Sequence, residues 1–424
     1  MTVFRRGREA APVASTRHER GNMIDSRRTP GVSRQRLGRR RTAAVAAVSA
    51  LLVAGGGGVA AAGTDTTTPA GGGEVADVTF AWTSPTQPTF VNRDFGIIEE
   101  GPAFGLGATV EDMLTFDSHA VATQAVLSGD ADVVGGSFVS NMLVNQQGED
   151  FKAFCPFVKN DDFVLVSNPG IDEIGDIFAD DVSVALDSPG GAGDIILNAM
   201  LQAAGEERTT ADIPGVQILE SSGLRTTAFA AGDVDVTLVH LTQYNAEILP
   251  AVPDAQIISR LYEDVPTFLK ETFAAPSSWI DENLETAAAI CAAVISGSRT
   301  LVADRAAFDE AVNTYVAEPP EAAQLDEVYT LINDNFWPID TGITEEAATF
   351  MAEVAVASGV LEEVPAYEDI VDPRPFEMAL ELLGDSGPAD TASAGTAPAG
   401  TEPVATESAG TEPMATVPAT TEAA

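Results

Sequence analysis

The sequence predicts an α/β protein with two related lobes, because one strand–helix–strand segment occurs in it twice. Thr115–Ser137 reads TFDSHAVATQAVLSGDADVVGGS, and Ile218–His240, 103 residues later, reads ILESSGLRTTAFAAGDVDVTLVH. Each copy has a serine suited to a helix N-terminus, Ser118 and Ser221, and a glycine suited to the end of that helix. An apolar strand follows in both. We expect each unit to have a right-handed crossover and parallel strand pairing.

The charge of the chain is divided between a basic start and an acidic remainder. Residues 1–41 hold 12 arginines and three acids, whereas residues 42–424 hold 10 basic and 61 acidic groups. Binding to nucleic acid needs clustered lysine and arginine, so the acidic part is a poor candidate for it. The chain has two cysteines, which excludes a disulfide scaffold and a cysteine-rich metal site.

Both ends of the chain are predicted to lie outside the fold. Residues 1–63 combine the basic start with the apolar segment Thr42–Gly63, which is typical of an export signal. The start at Met1 or Met23, cleavage of the signal and use of the twin-arginine route through Arg39–Arg41 are open, as is an uncleaved basic tail. We interpret residues 64–74 as a linker. Residues 385–424, which contain the near-repeat GTEPVATESA and GTEPMATVPA, are predicted to be disordered.

Further elements are expected around the repeated unit. The predicted strands and the longest predicted helix are Val78–Trp82, Phe151–Val158, Asp162–Ser167, Val182–Leu186, Ala255–Leu261 and the helix Leu284–Ala303.

Five segments carry a resemblance to a known group of proteins. They are FAWTSP (80–85), AVLSGDADVVGGS (125–137), VALDSPGGAGDIILNAMLQAAG (184–205), AFAAGDVDVTLVHLTQY (228–244) and ITEEAATFMAEVAVASGVLEEVPAYEDIVD (343–372). In these the chain resembles the type II periplasmic solute-binding proteins, most closely the NMT1/THI5-like group of sulfonate, nitrate and thiamine-precursor binders. The resemblance covers essentially all of residues 75–384.

The resemblance implies a two-lobed type II periplasmic-binding-protein fold with a ligand cleft between the lobes. Residues 75–160 and 255–384 then form a discontinuous lobe 1, and residues 161–254 form lobe 2, with hinges near Val158–Phe163 and Pro250–Ile257. The implied function is an exported receptor that binds a small molecule by lobe closure and delivers it to an ABC permease. Such a protein is not an enzyme and needs no metal or cofactor.

The ligand is expected at the carboxyl ends of the strands, where the two lobes face each other. The repeat places Ser137 and His240 at equivalent strand ends, one in each lobe. Trp82, Thr83 and Ser84 end the first strand and would line the same cleft, and Ser118 and His119 would lie on its rim. For Trp82 and both histidines, a place in the core or on the surface is the alternative. Tyr244 would close lobe 2.

A glycine-rich loop offers the other candidate residues, Ser188, Gly190 and Gly191. Glycines let a ligand approach the backbone, and the helix that follows presents free N–H groups suited to an anion. A plain strand-to-helix turn is the alternative, and Asp187 and Asp194 argue against a strongly anionic ligand.

Several questions of function remain open in the sequence. The ligand could be a sulfonate, a nitrate-like anion, a thiamine or pyrimidine precursor or another nitrogenous compound. The alternative functions are a surface or scaffold protein attached through its tail, and an enzyme on the same fold. Acid pairs such as Asp161–Asp162 are interpreted as solvated turn residues. Cys155 and Cys291 are expected in the core, with a disulfide between them as the alternative. The location is exported: extracellular, cell-surface or periplasmic, with retention by an uncleaved signal anchor also open.

Overall fold

The computed structural model of the protein describes residues 76–82, 86–116, 118–332, 336–337 and 340–384. The predicted signal, linker and tail therefore lie outside the described residues, as do Thr83 and Ser84. The strands are β1 (Phe80–Trp82), β2 (Met113–Thr115), β3 (Val133–Ser137), β4 (Phe151–Val158), β5 (Phe163–Ser167), β6 (Val184–Leu186), β7 (Val216–Ile218), β8 (Val236–His240), β9 (Gln256–Arg260) and β10 (Glu271–Pro276). The first eight helices are α1 (Val91–Phe95), α2 (His119–Leu127), α3 (Phe138–Gln146), α4 (Ala192–Ala203), α5 (Ser222–Ala231), α6 (Leu241–Gln243), α7 (Leu249–Ala251) and α8 (Leu261–Asp264). The remaining helices are α9 (Ser277–Glu282), α10 (Leu284–Ala303), α11 (Arg305–Tyr315), α12 (Ala322–Leu331), α13 (Glu345–Ala357), α14 (Tyr367–Ile370) and α15 (Arg374–Leu382).

The strands form two sheets with the same plan. The first sheet has the order β2-β1-β3-β10-β4, and the second has the order β7-β6-β8-β5-β9. In each sheet three strands are parallel, and an antiparallel strand joins them to a fifth. That fourth strand, β10 or β5, is in each case the first strand after the chain has crossed from the other sheet. The two related α/β lobes predicted from the repeat are thus confirmed.

The repeated unit has its expected local structure, with one correction. The hydroxyls of Ser118 and Ser221 accept hydrogen bonds from the backbone N–H groups of Val121 and Leu224, at the starts of α2 and α5. The two strands of each unit are parallel, but they do not pair with each other, because β1 lies between β2 and β3 and β6 lies between β7 and β8. The expected direct pairing was wrong because the preceding strand of each lobe inserts between them.

The chain crosses between the sheets at two places. The first crossing, residues 159–162, joins β4 to β5 and agrees with the expected hinge at Val158–Phe163. The second crossing is residues 261–270, between β9 and β10, and the expected hinge at Pro250–Ile257 is wrong. Residues 256–260 pair with β5 in the second sheet, so the chain leaves that sheet later than its proline-rich turn suggested.

The core of the first sheet is built around α10, where the predicted helix Leu284–Ala303 is confirmed. Within the described residues, α10 is the one helix whose length and apolar composition would allow it to cross a membrane. In the protein, 67% of its most apolar 18-residue stretch is buried. Its place in the core accounts for this composition. Cys291 of α10 and Cys155 of β4 are both fully buried, and both thiols are free.

One helix of the C-terminal segment contacts both lobes. Helix α13 packs against α3 on the first sheet and against α4 on the second. Asn198 and Gln202 of α4 donate hydrogen bonds to Ser358 and Glu353 at distances of 2.9 and 2.7 Å. The two sheets are therefore joined by α13 as well as by the two crossings.

Candidate functional site

A cavity of about 250 Å³ lies between the two lobes. We call it the cleft cavity. The first lobe contributes the segment after β1 together with α12 and Phe336, the first crossing contributes its two aspartates, and the second lobe contributes the end of β8 and the start of α6. The lining residues are Gln87, Pro88, Thr89, Asp161, Asp162, His240, Thr242, Pro320, Gln324, Val328, Leu331 and Phe336.

The cleft cavity contains a close Asp–His pair. Nδ1 of His240 lies 2.5 Å from Oδ1 of Asp162, and the His240 ring packs against Phe163 with 4.0 Å between centroids. Burial by itself would lower the pKa of His240, but the hydrogen bond and the charge of Asp162 outweigh it and raise that pKa. Burial raises the pKa of Asp162, with a contribution from the neighbouring carboxylate of Asp161. The two groups therefore hold a proton between them more firmly than either would in water.

The side chain of Asp161 contacts the second crossing. Its carboxylate forms an ion pair with the ammonium of Lys270, and Asn160 Nδ2 donates to the carbonyl of Val265 at 3.2 Å. Asp161 and Asp162 are only 3% and 7% exposed, so their interpretation as solvated turn residues was wrong. The loop that carries them has four residues between two buried strands, which leaves its side chains little room to reach solvent.

Glu271 follows Lys270 and starts β10. It is buried and pairs in register with Ser137 at the end of β3. Burial raises the pKa of Glu271 to about 7, against the opposing charges of Lys270 and Arg93. Ionisable groups thus concentrate where both crossings meet the strand ends.

The equivalence of Ser137 and His240 is borne out by matching backbone contacts. The N–H after Ser137, that of Phe138, donates to the carbonyl of Lys270, and the N–H of Leu241 donates to the carbonyl of Asp162, both at 2.9 Å. Of the two equivalent residues, His240 lines the cleft cavity. Ser137 is partly buried and is not one of the residues that line the cavity.

The glycine-rich loop has the conformation of a self-capped helix start. The N–H groups of Gly193 and Asp194 donate to the carboxylate of Asp187 at 2.8 and 2.9 Å, and that of Gly190 donates to Asp194 at 2.8 Å. The Ser188 hydroxyl donates to Glu220 at 3.3 Å. The groups expected to bind an anion are therefore taken up by the protein's own carboxylates. Gly190, at φ +74°, packs beside Val360, near the end of α13.

His119 and Ser118 lie at the start of α2, as expected. Ser118 is exposed, and the His119 ring is half-buried beside Asn141. Burial lowers the pKa of His119 to about 4, and the Asn141 side chain offsets only part of that shift. Both ring nitrogens and Oδ1 of Asn141 are buried without a hydrogen-bond partner among the described residues.

Two other expected cleft residues lie elsewhere. Trp82 is 1% exposed and stacks on Phe80 with 5.0 Å between centroids, and Arg93 lies 4.3 Å from its ring. Trp82 is thus a core residue and does not line the cleft cavity. The Tyr244 hydroxyl donates to the carbonyl of Ala255 at 3.1 Å, so its ring packs on the core of lobe 2 and does not close it.

Comparison with known proteins finds similarity in structure alone. No family model matches the chain, and no curated protein matches it. Among solved structures, the periplasmic sulfonate-binding protein SsuA from Methylobacillus flagellatus KT is 17% identical with a TM-score of 0.58, over 74% of this chain and 96% of that one. The periplasmic aliphatic sulphonate binding protein SsuA from Escherichia coli is 16% identical with a TM-score of 0.53, over 69% and 95%. A ligand-binding component of an ABC-type import system from Staphylococcus aureus, with zinc bound, is 11% identical with a TM-score of 0.50, over 72% and 98%.

The chain has the type II periplasmic-binding-protein fold. The match extends over almost the whole of each of these solved structures. The two sheets described above form the two lobes of the fold in this chain. At 11–17% identity the likeness establishes the periplasmic-binding-protein fold and leaves the ligand open. The cleft cavity lies between these two lobes, and Asp161 and Asp162 of the first crossing line it.

Proposed function

We propose that this protein is an exported solute-binding receptor of an ABC-type importer, which captures a small organic compound between its lobes. The observation that carries the proposal is the cleft cavity, because its lining comes from both lobes and from the first crossing between them. A ligand there contacts both lobes at once and stabilises their closed arrangement.

The cleft cavity provides what binding needs. Its lining combines hydrogen-bonding side chains, those of Gln87, Gln324 and Thr242, with apolar side chains. Outside the cavity, Nδ2 of Asn245 on lobe 2 donates to the carboxylate of Glu327 on α12, so the lobes also contact each other directly. Capture and release require no bond to be made or broken, so we propose binding without catalysis.

The export, location and partner follow from the same proposal. The basic and apolar start of the chain directs it out of the cytoplasm, to the cell surface or the periplasm, and an ABC permease takes up the solute that it delivers. N-terminal sequencing of the protein recovered from cell fractions tests the export. A start within residues 1–41 in the cytoplasmic fraction would contradict it.

Thermal denaturation with a panel of solutes tests the binding function. The panel contains alkanesulfonates, nitrate, pyrimidine precursors, amino acids and organic amines. A ligand that binds the native state raises the melting temperature as its concentration increases. At 100 times its Kd, such a ligand adds about 2.7 kcal/mol to the free energy of unfolding. One solute class should produce this rise. A protein that responds to no member of the panel would contradict a receptor for these compounds.

A further inference from the structure

The charge of the cleft cavity separates the ligand classes that the fold leaves open. Its lining includes the carboxylates of Asp161 and Asp162 and the imidazole of His240, and within the described residues no lysine or arginine lines it. The neighbouring cations are already engaged. Lys270 is paired with Asp161, and Arg93 is paired with Asp94 at 3.0 Å.

Asp162 has an unused acceptor at the cavity. Its Oδ1 is bound by His240, whereas no donor among the described residues reaches Oδ2. Burial raises the pKa of Asp162, because a carboxylate removed from water is costly to ionise. Nε2 of His240 also has no hydrogen-bond partner among the described residues, and the His240 side chain is 35% exposed. A ligand with N–H donors would supply the hydrogen bond that Oδ2 of Asp162 lacks.

The apolar part of the lining calls for an apolar group on the same ligand. Its residues, which we call the apolar wall, are Pro88, Val328, Leu331 and Phe336. The cavity volume, about 250 Å³, is several times the roughly 30 Å³ that one water molecule occupies in the liquid. A bare metal ion would leave this wall and most of the volume empty, although Asp161, Asp162 and His240 offer ligand atoms within 4.8 Å of one another.

An anionic ligand meets two obstacles. The helix N-terminus that could receive it is capped by Asp187, as described above. A sulfonate or carboxylate that reached Asp162 would bring oxygen atoms against Oδ2, which is itself an acceptor, and charges of like sign repel strongly where water is excluded. The ammonium of Lys270 is paired with Asp161 and not with Asp162.

We propose that the cleft ligand is a small organic cation, a protonated amine, amidine or aminoheterocycle, whose N–H groups donate to Asp162 and whose apolar part lies against Phe336 and Leu331. This rests on the proposed receptor function. The proposal narrows the expected ligands from small nitrogen and sulfur compounds in general to organic cations.

Matched pairs of probes test the charge class on the wild-type protein. Full-length protein is titrated calorimetrically with benzylamine, benzamidine, cyclohexylamine and 4-aminopyridine. Each is compared with the sulfonate or carboxylate of the same skeleton, including benzenesulfonate, benzoate and cyclohexanecarboxylate. We expect saturable binding within the cationic set and at least tenfold weaker binding of the matched anion. ZnCl₂ alone is a separate arm.

The outcomes distinguish the two proposals. Tighter binding of an anion than of its matched cation overturns the charge class and leaves the receptor function standing. Binding of Zn²⁺ with no binding of any organic cation overturns the organic ligand in favour of a metal site. No binding in any arm overturns the receptor function, and the ligand class with it.

Two substitutions then locate the bound cation. Asp162→Asn keeps the shape of the side chain and removes its charge, so we expect the affinity for the best cation to fall at least tenfold. Asp180→Asn makes the same change at an exposed position of lobe 2 and should leave the affinity within twofold. Equal affinities of both variants and the wild type would place the cation elsewhere and overturn the proposal. Circular dichroism of each variant verifies that it folds.

Discussion

Asp161 and Lys270 lie on different crossings between the lobes and form an ion pair with each other. Asp161 precedes the first strand of the second sheet by two residues, and Lys270 immediately precedes the return strand of the first sheet. The Asp161 side chain is 4% exposed and that of Lys270 is 23% exposed. The pair therefore ties the two connecting segments together beside the cleft cavity.

Removing the lysine should be costly. In Lys270→Met the carboxylate of Asp161 is left buried and unpaired, and we expect a loss of about 3 kcal/mol in the free energy of unfolding. Adding Asp161→Asn should recover much of the loss, because the unpaired charge is then gone. Arg260→Met, which removes an exposed partner 3.9 Å from Glu263, should cost less than about 1 kcal/mol. Urea denaturation measures all of these, and equal losses for Lys270→Met and Arg260→Met would contradict the buried pair.

The pKa values of the two histidines of the folded region should be shifted in opposite directions. Burial lowers the pKa of His119 to about 4, whereas Asp162 raises that of His240 above its usual 6.5 despite burial. Proton NMR of the imidazole signals, assigned with His18→Gln, His119→Gln and His240→Gln, measures both. Titration of His119 and His240 together near pH 6.5 would show that neither has the surroundings described.

These shifts also fix the sign of the pH effect on stability. The raised pKa of His240 gives stability that is fully present below pH 6.5 and is lost as pH rises through the higher folded-state value. The lowered pKa of His119 acts the other way, because the unfolded chain takes up a proton near pH 6.5 that the folded protein refuses until about pH 4. Stability owed to neutral His119 therefore falls as pH drops between those values.

Glu271 should make the protein less stable as pH rises from about 4.5 to 7. Its folded-state pKa of about 7 means that the native protein keeps a proton that the unfolded chain has released. The shift corresponds to about 3 kcal/mol, at 1.36 kcal/mol per pH unit. Glu271→Gln cannot ionise, so its stability relative to wild type should increase by about that amount between pH 4.5 and pH 8. A difference that stays constant across this range would contradict the buried, protonated carboxyl.

Trp82 needs a glycine on the neighbouring strand. A Cβ at Gly135 would lie 2.3 Å from Cζ3 of Trp82, so Gly135→Ala forces the buried ring to move. We expect a loss of about 1–3 kcal/mol and altered tryptophan fluorescence. Gly223→Ala has open space in the first turn of α5 and should be neutral or slightly stabilising, since alanine favours helix. A neutral Gly135→Ala would contradict the packing of Trp82 in the core.

The repeat predicted much of the fold and one member of the site. Two aligned segments of similar pattern placed His240 at a strand end facing the other lobe, and in the structure His240 ends β8 and lines the cleft cavity. Local patterns also gave the serine caps of α2 and α5. These features depend on residues close together in the chain.

The rest of the site depends on contacts between distant residues. Asp161 and Asp162 resemble a polar turn in sequence, and only the pairing of their flanking strands shows that they are buried. The short loop before the apolar strand that starts at Phe163 was the available signal. Trp82 was ambiguous because an aromatic residue at a strand end can face the core or a cleft, and Gly135 on a strand 53 residues later decides it.

The claim that a solute binds in the cavity between the lobes is tested most directly by filling that cavity. Thr242→Trp places a large ring in the cleft cavity, whereas Thr314→Trp places the same ring on the exposed face of α11. With the tightest-binding compound of the panel, calorimetry should show one-to-one binding for wild type and Thr314→Trp, and binding at least a hundredfold weaker for Thr242→Trp. Undiminished binding by a folded Thr242→Trp variant would contradict the account, because the solute would then bind outside the cleft cavity.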